Sequence, residues 1–458
     1  MTLSKSKIRS IYHPSKEDTW TGVNWSKVET TVAKLQHRIT KANEKGQYRK
    51  VRNLQRLLAK NNFSARLKAI RTVTQNKTAK IPGIDGQLWE TPQTKLMAAL
   101  EHCNSHTKPL KLVPTPFGVG DKFNSKTHFK KELKSKKNQK KILIPCMSDR
   151  ARKVLWNTAL TPLMEKDFPI DQPINYWDTN AKIRFKLNQK NFQWVLTGTI
   201  EKINQKVNHD WLLRNIPMEK KVLKSWLKTD FENSTYDQFE LESSIKLIKL
   251  TLANLTLKNF SNDVKAMCKQ PFQSKIHDNK KSISVIRVKD DFIVIGQSYD
   301  QLEDVKKAVD NFLLPRGLQM KSSVINHLSN GFDFLGWTWR SNEKLRCTIS
   351  KVSKIKHRAE IKYLIKTTHK SEILILKLNK KIVDWIKYHH VANDISSVCN
   401  SMSRYLYDRL IKWGLRHHSN KTKKWVFNRY WKQLNGRWTF TVSKDEKVYT
   451  LINYTFRM

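Results

Sequence analysis

Ser282-Ile283-Ser284-Val285-Ile286-Arg287-Val288-Lys289-Asp290-Asp291-Phe292-Ile293-Val294-Ile295-Gly296 is the stretch whose reading decides the fold. Two β-branched runs flank Lys289-Asp290-Asp291, which predicts a tight hairpin with an acidic pair at its tip. Adjacent carboxylates on a rigid hairpin suit a divalent metal, because two oxygen donors can be aimed at one hard cation. In nucleotidyl transfer such a pair holds the ions that activate the attacking and leaving oxygens. The competing reading is a polar turn whose acids are merely solvated.

Around the hairpin, Phe192–Ile200 predicts a second core strand, Tyr299–Leu314 a helix, and Gly331–Trp337 a strand or turn. Leu252–Leu257 is too short for periodicity to separate helix from strand, and residues 229–245 read as polar loop. Nearer the start, Ser26-x-x-Glu29 has capping-box spacing ahead of Val28, Val32, Leu35 and Ile39 on one helical face. Gly46 breaks that pattern. Two more helical patterns follow, through Tyr48, Val51, Leu54 and Leu58, then Phe63, Leu67, Ile70 and Val73. Pro82–Gly86 reads as a turn, Ile142–Pro145 as a short strand, and Asp149-Arg150 as the start of a helix. Beyond Ile373 the pattern is helical, with Asp394 as the expected cap of a run through Ile395, Val398, Met402, Leu406, Leu410 and Trp413.

The net charge is +48 over 458 residues, and a chain this basic needs a polyanionic partner, nucleic acid ahead of an anionic membrane surface. No apolar run approaches the roughly 18 residues of a membrane span. Hydrophobic residues at 39% and 15 Trp imply a folded chain. Five cysteines, without any Cys-x-x-Cys spacing, argue for a reducing compartment and against a disulfide frame or structural zinc. The basic N-terminus lacks the apolar core of a secretory signal and leaves little room for a transit peptide. Few Gly with abundant Lys, Asn and Ile fit an AT-rich coding sequence of the kind organelle genomes carry.

Two basic stretches stand out. Lys122–Lys141 has nine lysines against one acid, Glu132, and reads equally as a solvated loop or an arm along a phosphate backbone. Arg409–Lys444 has ten Lys/Arg and no acid, interleaved with Trp413, Trp425, Phe427, Tyr430, Trp431, Trp438 and Phe440. Each aromatic taken singly is more simply core; together with the cations they offer phosphate contact plus base stacking. The candidate RNA contacts are Lys130, Lys131, Lys136, Lys137, Arg416, Lys421, Lys423, Lys424, Trp425, Arg429 and Arg437.

In order and spacing these pieces resemble the group II intron-encoded proteins, the reverse-transcriptase-like maturases. Leu35-Gln36-x-Arg38-Ile39-x-Lys41-Ala42 and Leu54-Gln55-x-Leu57-Leu58 look like the family's N-terminal extension. Pro82–Gly86, Ile144-Pro145, Asp149-Arg150-Ala151, Arg316-Gly317-Leu318 and Gly331–Gly336 are similar to its fingers and palm. Trp413, Lys423-Lys424-Trp425, Tyr430-Trp431 and Arg437-Trp438-x-Phe440 look like its maturase domain. The resemblance implies an α+β fold: a helical RNA-binding N-terminal extension over 20–105, right-hand polymerase-like fingers and palm over 106–340, and an α-helical thumb and maturase domain over 341–445.

The departures bear on activity. The family pattern puts its first metal-binding aspartate at Thr199 and its aromatic against the incoming sugar at Asn204. Lys289 precedes the acids where Tyr-Ala is implied, and Ser244–Leu250 replaces a Thr-Pro-Gln-Gly stretch. Glu201 shares a strand face with Thr199 but lies about 6–7 Å further along, too far for a tight metal pair. Asp290 and Asp291 are then a vestigial pair, no residue is expected to be catalytic, and no protein-held metal is expected. A Cys/His endonuclease is not expected, since Cys and His are absent after Phe440.

The expected function is binding a group II intron RNA and assisting its splicing, with no cofactor for the protein and Mg²⁺ held by the RNA. The chain is not expected to be an enzyme or to enter a membrane, and a homodimer is compatible with the sequence. The rivals are an active RNA-directed DNA polymerase supporting intron mobility and a general RNA-binding RNP factor. The expected compartment is an organelle, plastid ahead of mitochondrion.

Overall fold

The computed structural model describes residues 20–101, 108, 110–114, 141–164, 176–189, 192–201, 207–228, 240–268, 283–434 and 436–454. Lys130, Lys131, Lys136, Lys137 and Asn204 lie outside the described residues.

Helix α1 (Trp25–Glu44) starts from Asn24, whose side chain accepts the Lys27 amide at 3.0 Å, so the cap is Asn24 and not Ser26. Its buried stripe is Val28, Val32, Leu35, Ile39 and Ala42. Gly46, at φ +64°, turns the chain into α2 (Tyr48–Arg56), followed by α3 (Phe63–Gln75) and α4 (Pro92–Leu100). Next come β1 (Lys111–Pro114), β2 (Lys141–Ile144), α5 (Met147–Leu160), α6 (Tyr176–Leu187) and β3 (Trp194–Ile200). Helices α7 (His209–Asn215) and α8 (Lys220–Trp226) and strand β4 (Glu240–Leu241) lead into α9 (Ser243–Thr256).

Helix α9 absorbs residues 243–245, expected as loop, and most of Leu252–Leu257. Buried Ile245, Ile248, Leu252 and Leu255 recur at three-to-four spacing only when the whole run is read together. Then follow α10 (Phe260–Met267), the hairpin β5 (Ser284–Val288) and β6 (Asp291–Gly296), α11 (Tyr299–Leu313), β7 (Met320–His327), β8 (Phe332–Phe334), β9 (Trp337–Ser341) and β10 (Leu345–Ile349). The chain continues through α12 (Lys351–Thr367), α13 (Ser371–His389), α14 (Ile395–His417) and α15 (Lys423–Tyr430). It then departs from the expected helical ending: β11 (Trp431–Leu434), β12 (Arg437–Lys444) and β13 (Lys447–Thr450) form an antiparallel sheet. Aromatic and β-branched side chains alternating through Trp438, Phe440 and Val442 favour the pleated strand.

The chain forms two compact units. The first comprises Met1–Ile174, Ile200–Val264 and Val309–Met320. Here Gln36 Nε2 donates to the Thr158 carbonyl at 2.9 Å and Gln55 Nε2 to that of Ala159 at 3.4 Å. Both acceptors belong to the last turn of α5, whose carbonyls lack intrahelical partners, so the glutamines of α1 and α2 finish that helix. Arg150 is wholly buried: Nε donates to Pro145 O at 2.8 Å, Nη1 to Thr78 O at 2.9 Å and Nη2 to Ile81 O at 2.6 Å. The loop it anchors approaches α5 so closely that a Cβ on Gly83 would meet the Cys146 Cα at 2.6 Å. Arg150→Met would take a donor from three carbonyls, of which Thr78 O keeps the Ile81 amide at 3.0 Å, and we expect a loss of about 3 kcal/mol in denaturant unfolding of the full chain. A loss below about 1 kcal/mol would contradict the anchoring role.

The second unit comprises Asn175–Thr199, Lys265–Ala308 and Lys321–Met458. Its main sheet has the order β5-β6-β3-β7, with α6 packed against β5. A smaller sheet, β10-β9-β8, buries Trp337 and Trp339 completely. Asp394 sits at the start of α14 but does not cap it; its carboxylate accepts the Ile349 amide at 2.9 Å and the Lys354 ammonium at 3.0 Å. The expected cap therefore ties α14 to β10 and α12 instead.

Candidate functional site

The hairpin forms as the β-branched runs require, but tighter than expected. Val288 pairs with Asp291, leaving Lys289-Asp290 as the turn and placing Asp291 on the first position of β6. Lys289 adopts φ +57°, uncommon for a residue with a Cβ, and Arg287 Nη1 donates to its carbonyl at 3.0 Å. On the other side β6 pairs with β3, Gly198 opposite Phe292 and Thr199 opposite Asp291. Thr199 Oγ1 donates to Asp291 Oδ1 at 2.8 Å.

That geometry decides whether the residues fit a polymerase's magnesium pair. A bridging site needs anionic oxygens from both strands, aimed into one space. Thr199 contributes a neutral oxygen whose proton is already directed at Asp291. Among the described residues no group of three His, Cys, Asp or Glu side chains is placed to hold a metal. The residues present do not fit the two-metal site.

Thr199 and Asp291 are among the residues lining a cleft of about 660 Å³ bounded by the main sheet, the β8–β9 turn, α12 and α13. Its charged lining is Asp291, Asp333 and Glu360 against a lone described cation, Lys356, and Glu360 also pairs with Lys381 at 3.0 Å. In a chain of net charge +48 this is a locally acidic surface, which repels a phosphate backbone.

Two buried histidines also line the cleft. His357 is hydrogen-bonded through Nε2 to the Tyr454 hydroxyl at 2.7 Å and stacks on Trp385, ring centroids 4.6 Å apart. His389 is hydrogen-bonded through Nε2 to Ser353 Oγ at 3.0 Å. Burial pushes both down to about 4, reinforced by Lys381 at His357 and by His357 and Lys354 at His389, against smaller upward pulls from Glu360 on the first and Asp394 on the second. The folded protein therefore holds both neutral at pH 7. Below about 6.5 the unfolded chain takes up protons that the folded chain refuses, so stability is full above that pH and is lost as pH falls towards 4. We expect the melting temperature to fall by several degrees between pH 7 and pH 5. An unchanged value would contradict the burial of neutral imidazoles.

The acid-free C-terminal stretch divides into core and surface. Trp413, Trp431 and Phe440 are buried, and Gly414 allows α15 so near α14 that a Cβ there would meet Val426 at 2.3 Å. Arg416, Lys421, Lys423, Lys424, Arg429 and Arg437 are all exposed. Lys421 Nζ lies 5.5 Å from the Trp425 ring, and the His418 ring lies 4.9 Å from it. Among the described residues Lys423, Lys424 and Arg429 form no ion pair. The exposed ring of Trp438, the half-buried Phe427 and the exposed Gln433 belong to this surface as well. Phe427 and Trp438 were expected as members of the aromatic run and Gln433 was not singled out, because a helical reading of this stretch hides the strand alternation Trp431-x-Gln433 and Trp438-x-Phe440. In the first unit, Lys34, Arg38, Lys41 and Lys45 line an exposed face at one end of the chain, on and just after α1.

Residues 20–101 match the family described as the N-terminal domain of reverse transcriptase, and residues 354–431 match the group II intron, maturase-specific domain. The chain is 24% identical over 400 residues to maturase-like protein 1 of Euglena gracilis, covering 82% of this chain and 79% of that protein. It is 28% identical over 89 residues to the ribosomal operon-associated A protein of the same organism, covering 19% of this chain and 17% of that protein. A solved structure of Candida tropicalis telomerase with a fragment of telomeric RNA aligns at 12% identity and a TM-score of 0.28, covering 57% and 49% of the two chains, too slight a likeness to inform the fold. No described helix is long and apolar enough to cross a membrane.

Proposed function

Taking as premise that the chain belongs with the group II intron maturases, we propose that it binds a group II intron RNA and stabilises the folded, splicing-competent form, without copying RNA itself. The observation that carries this reading is the Thr199 hydroxyl bonded to Asp291 where a second strand's carboxylate would be needed. The acidic lining of the adjoining cleft supports it, since a template and primer are polyanions. The intron's magnesium ions are held by the RNA in this reading, and the protein supplies differential affinity for one RNA fold over its competitors. An organellar compartment, plastid ahead of mitochondrion, is proposed from composition.

RNA contact is assigned to the exposed cations of α14, α15 and β12 and to the basic face of α1. Lysines and arginines there release counterions on phosphate binding, so affinity falls with salt. Replacing Lys423, Lys424 and Arg429 together by Ala should weaken binding of a group II intron transcript by about tenfold or more and flatten the salt dependence by about two units. The check is a filter-binding series across salt concentrations, alongside splicing of the same transcript. Unchanged affinity and slope would remove this face from the interface. Asp290→Asn should leave protein-assisted splicing intact; a splicing defect in a folded protein would give the acidic turn a role outside this reading.

A further inference from the structure

We propose that Trp438, with Gln433 and Phe427, forms a stacking site for an unpaired nucleotide of the bound RNA. The inference rests on the reading above that this surface contacts RNA, and adds what the surface recognises there. Strands β11 and β12 pair with Trp431 opposite Phe440 and Gln433 opposite Trp438. Side chains two apart on a strand share a face, so these four line one face of the hairpin. Helix α15 covers the inner end of that face. Phe427 stacks on Trp431 with centroids 5.5 Å apart and planes 9° apart, and Trp431 and Phe440 are buried beneath it. The helix stops short of the outer end: Trp438 meets only the flank of Phe427, centroids 5.0 Å apart at 55°, and is 56% exposed.

An indole that rests against the Phe427 ring and leaves more than half of its surface open offers a platform for a base. The Phe427 contact restrains the indole before binding, which lowers the rotamer entropy lost when a base stacks on it. Gln433, exposed beside it, carries both an amide donor and an amide acceptor for a base edge. Lys423 and Lys424 precede Phe427 by four and three residues on α15, the same side of the helix, where flanking phosphates would run. Charge selects the occupant. From Arg409 to Lys444 there is no acid, and Lys423, Lys424, Lys432 and Arg437 on α15, β11 and β12 are exposed, so the platform suits a polyanion bearing flat apolar rings, unpaired RNA.

The test uses the full chain and two synthetic RNAs of equal phosphate count, one with an unpaired purine-rich internal loop and one fully paired, neither of intron sequence. Trp438→Ala should lower affinity for the looped RNA by about tenfold and for the paired RNA by under about twofold, with the salt slope unchanged on both. Trp438→Phe should keep most of the looped-RNA affinity. Unimpaired binding of paired RNA shows that the variants are folded. Equal losses on both RNAs, or no loss on either, would overturn the assignment. So would a fall in molecular mass by light scattering with RNA binding intact, which would make this face a contact between copies of the chain. The outcome is separable from the splicing reading: a protein that fails to assist splicing can still show the Trp438 effect, and loss of that effect leaves the cationic intron contacts standing.

Discussion

Across the ladder between β3 and β6, the Thr199 hydroxyl gives its proton to the Asp291 carboxylate, and packing fixes the register in which they meet. One position earlier, Phe292 lies over Gly198 so closely that a Cβ on the glycine would meet the ring at 2.2 Å. Sliding the strands by one residue would lift that ring off its glycine and turn every buried side chain of β6 to the opposite face. Thr199 and Asp291 are therefore held opposite each other by the core. A hydroxyl facing a carboxylate is satisfied without a metal; two carboxylates in that place would need a cation to offset their repulsion.

The distribution of charge follows the same division. The cleft beside Asp291 carries carboxylates, one lysine and two imidazoles kept neutral by burial, whereas the exposed sides of α1, α14, α15 and β12 carry most of the cations discussed. In the proposed reading, phosphate meets the exterior and is disfavoured in the cleft. The scaffold then positions cationic and aromatic surfaces instead of reacting atoms.

Much of this was legible in the residues. Val28, Val32, Leu35 and Ile39 place α1, the paired β-branched runs place β5 and β6, and the spacing that aligned Thr199 with a missing acid agrees with its register opposite Asp291. The cap at Asn24 was hidden because Ser26 and Glu29 also satisfy the capping pattern. The role of Asp394 depends on the Ile349 amide and Lys354, contacts 45 and 40 residues away that no local pattern encodes. The terminal sheet was missed because α15 precedes β11 without a break, so Trp425, Phe427, Tyr430 and Trp431 carry helical spacing into a strand. That misreading left Trp438 undistinguished from the other aromatics of the run; its exposure and its place opposite Gln433 are visible only once its strand is known.

Primer extension by the purified full chain on an RNA template, in the presence of Mg²⁺, asks most directly whether the hydroxyl at Thr199 has closed the polymerase route. No product above background is expected, with or without Asp291→Asn. Magnesium-dependent cDNA from the unaltered protein that disappears in Asp291→Asn would contradict the account.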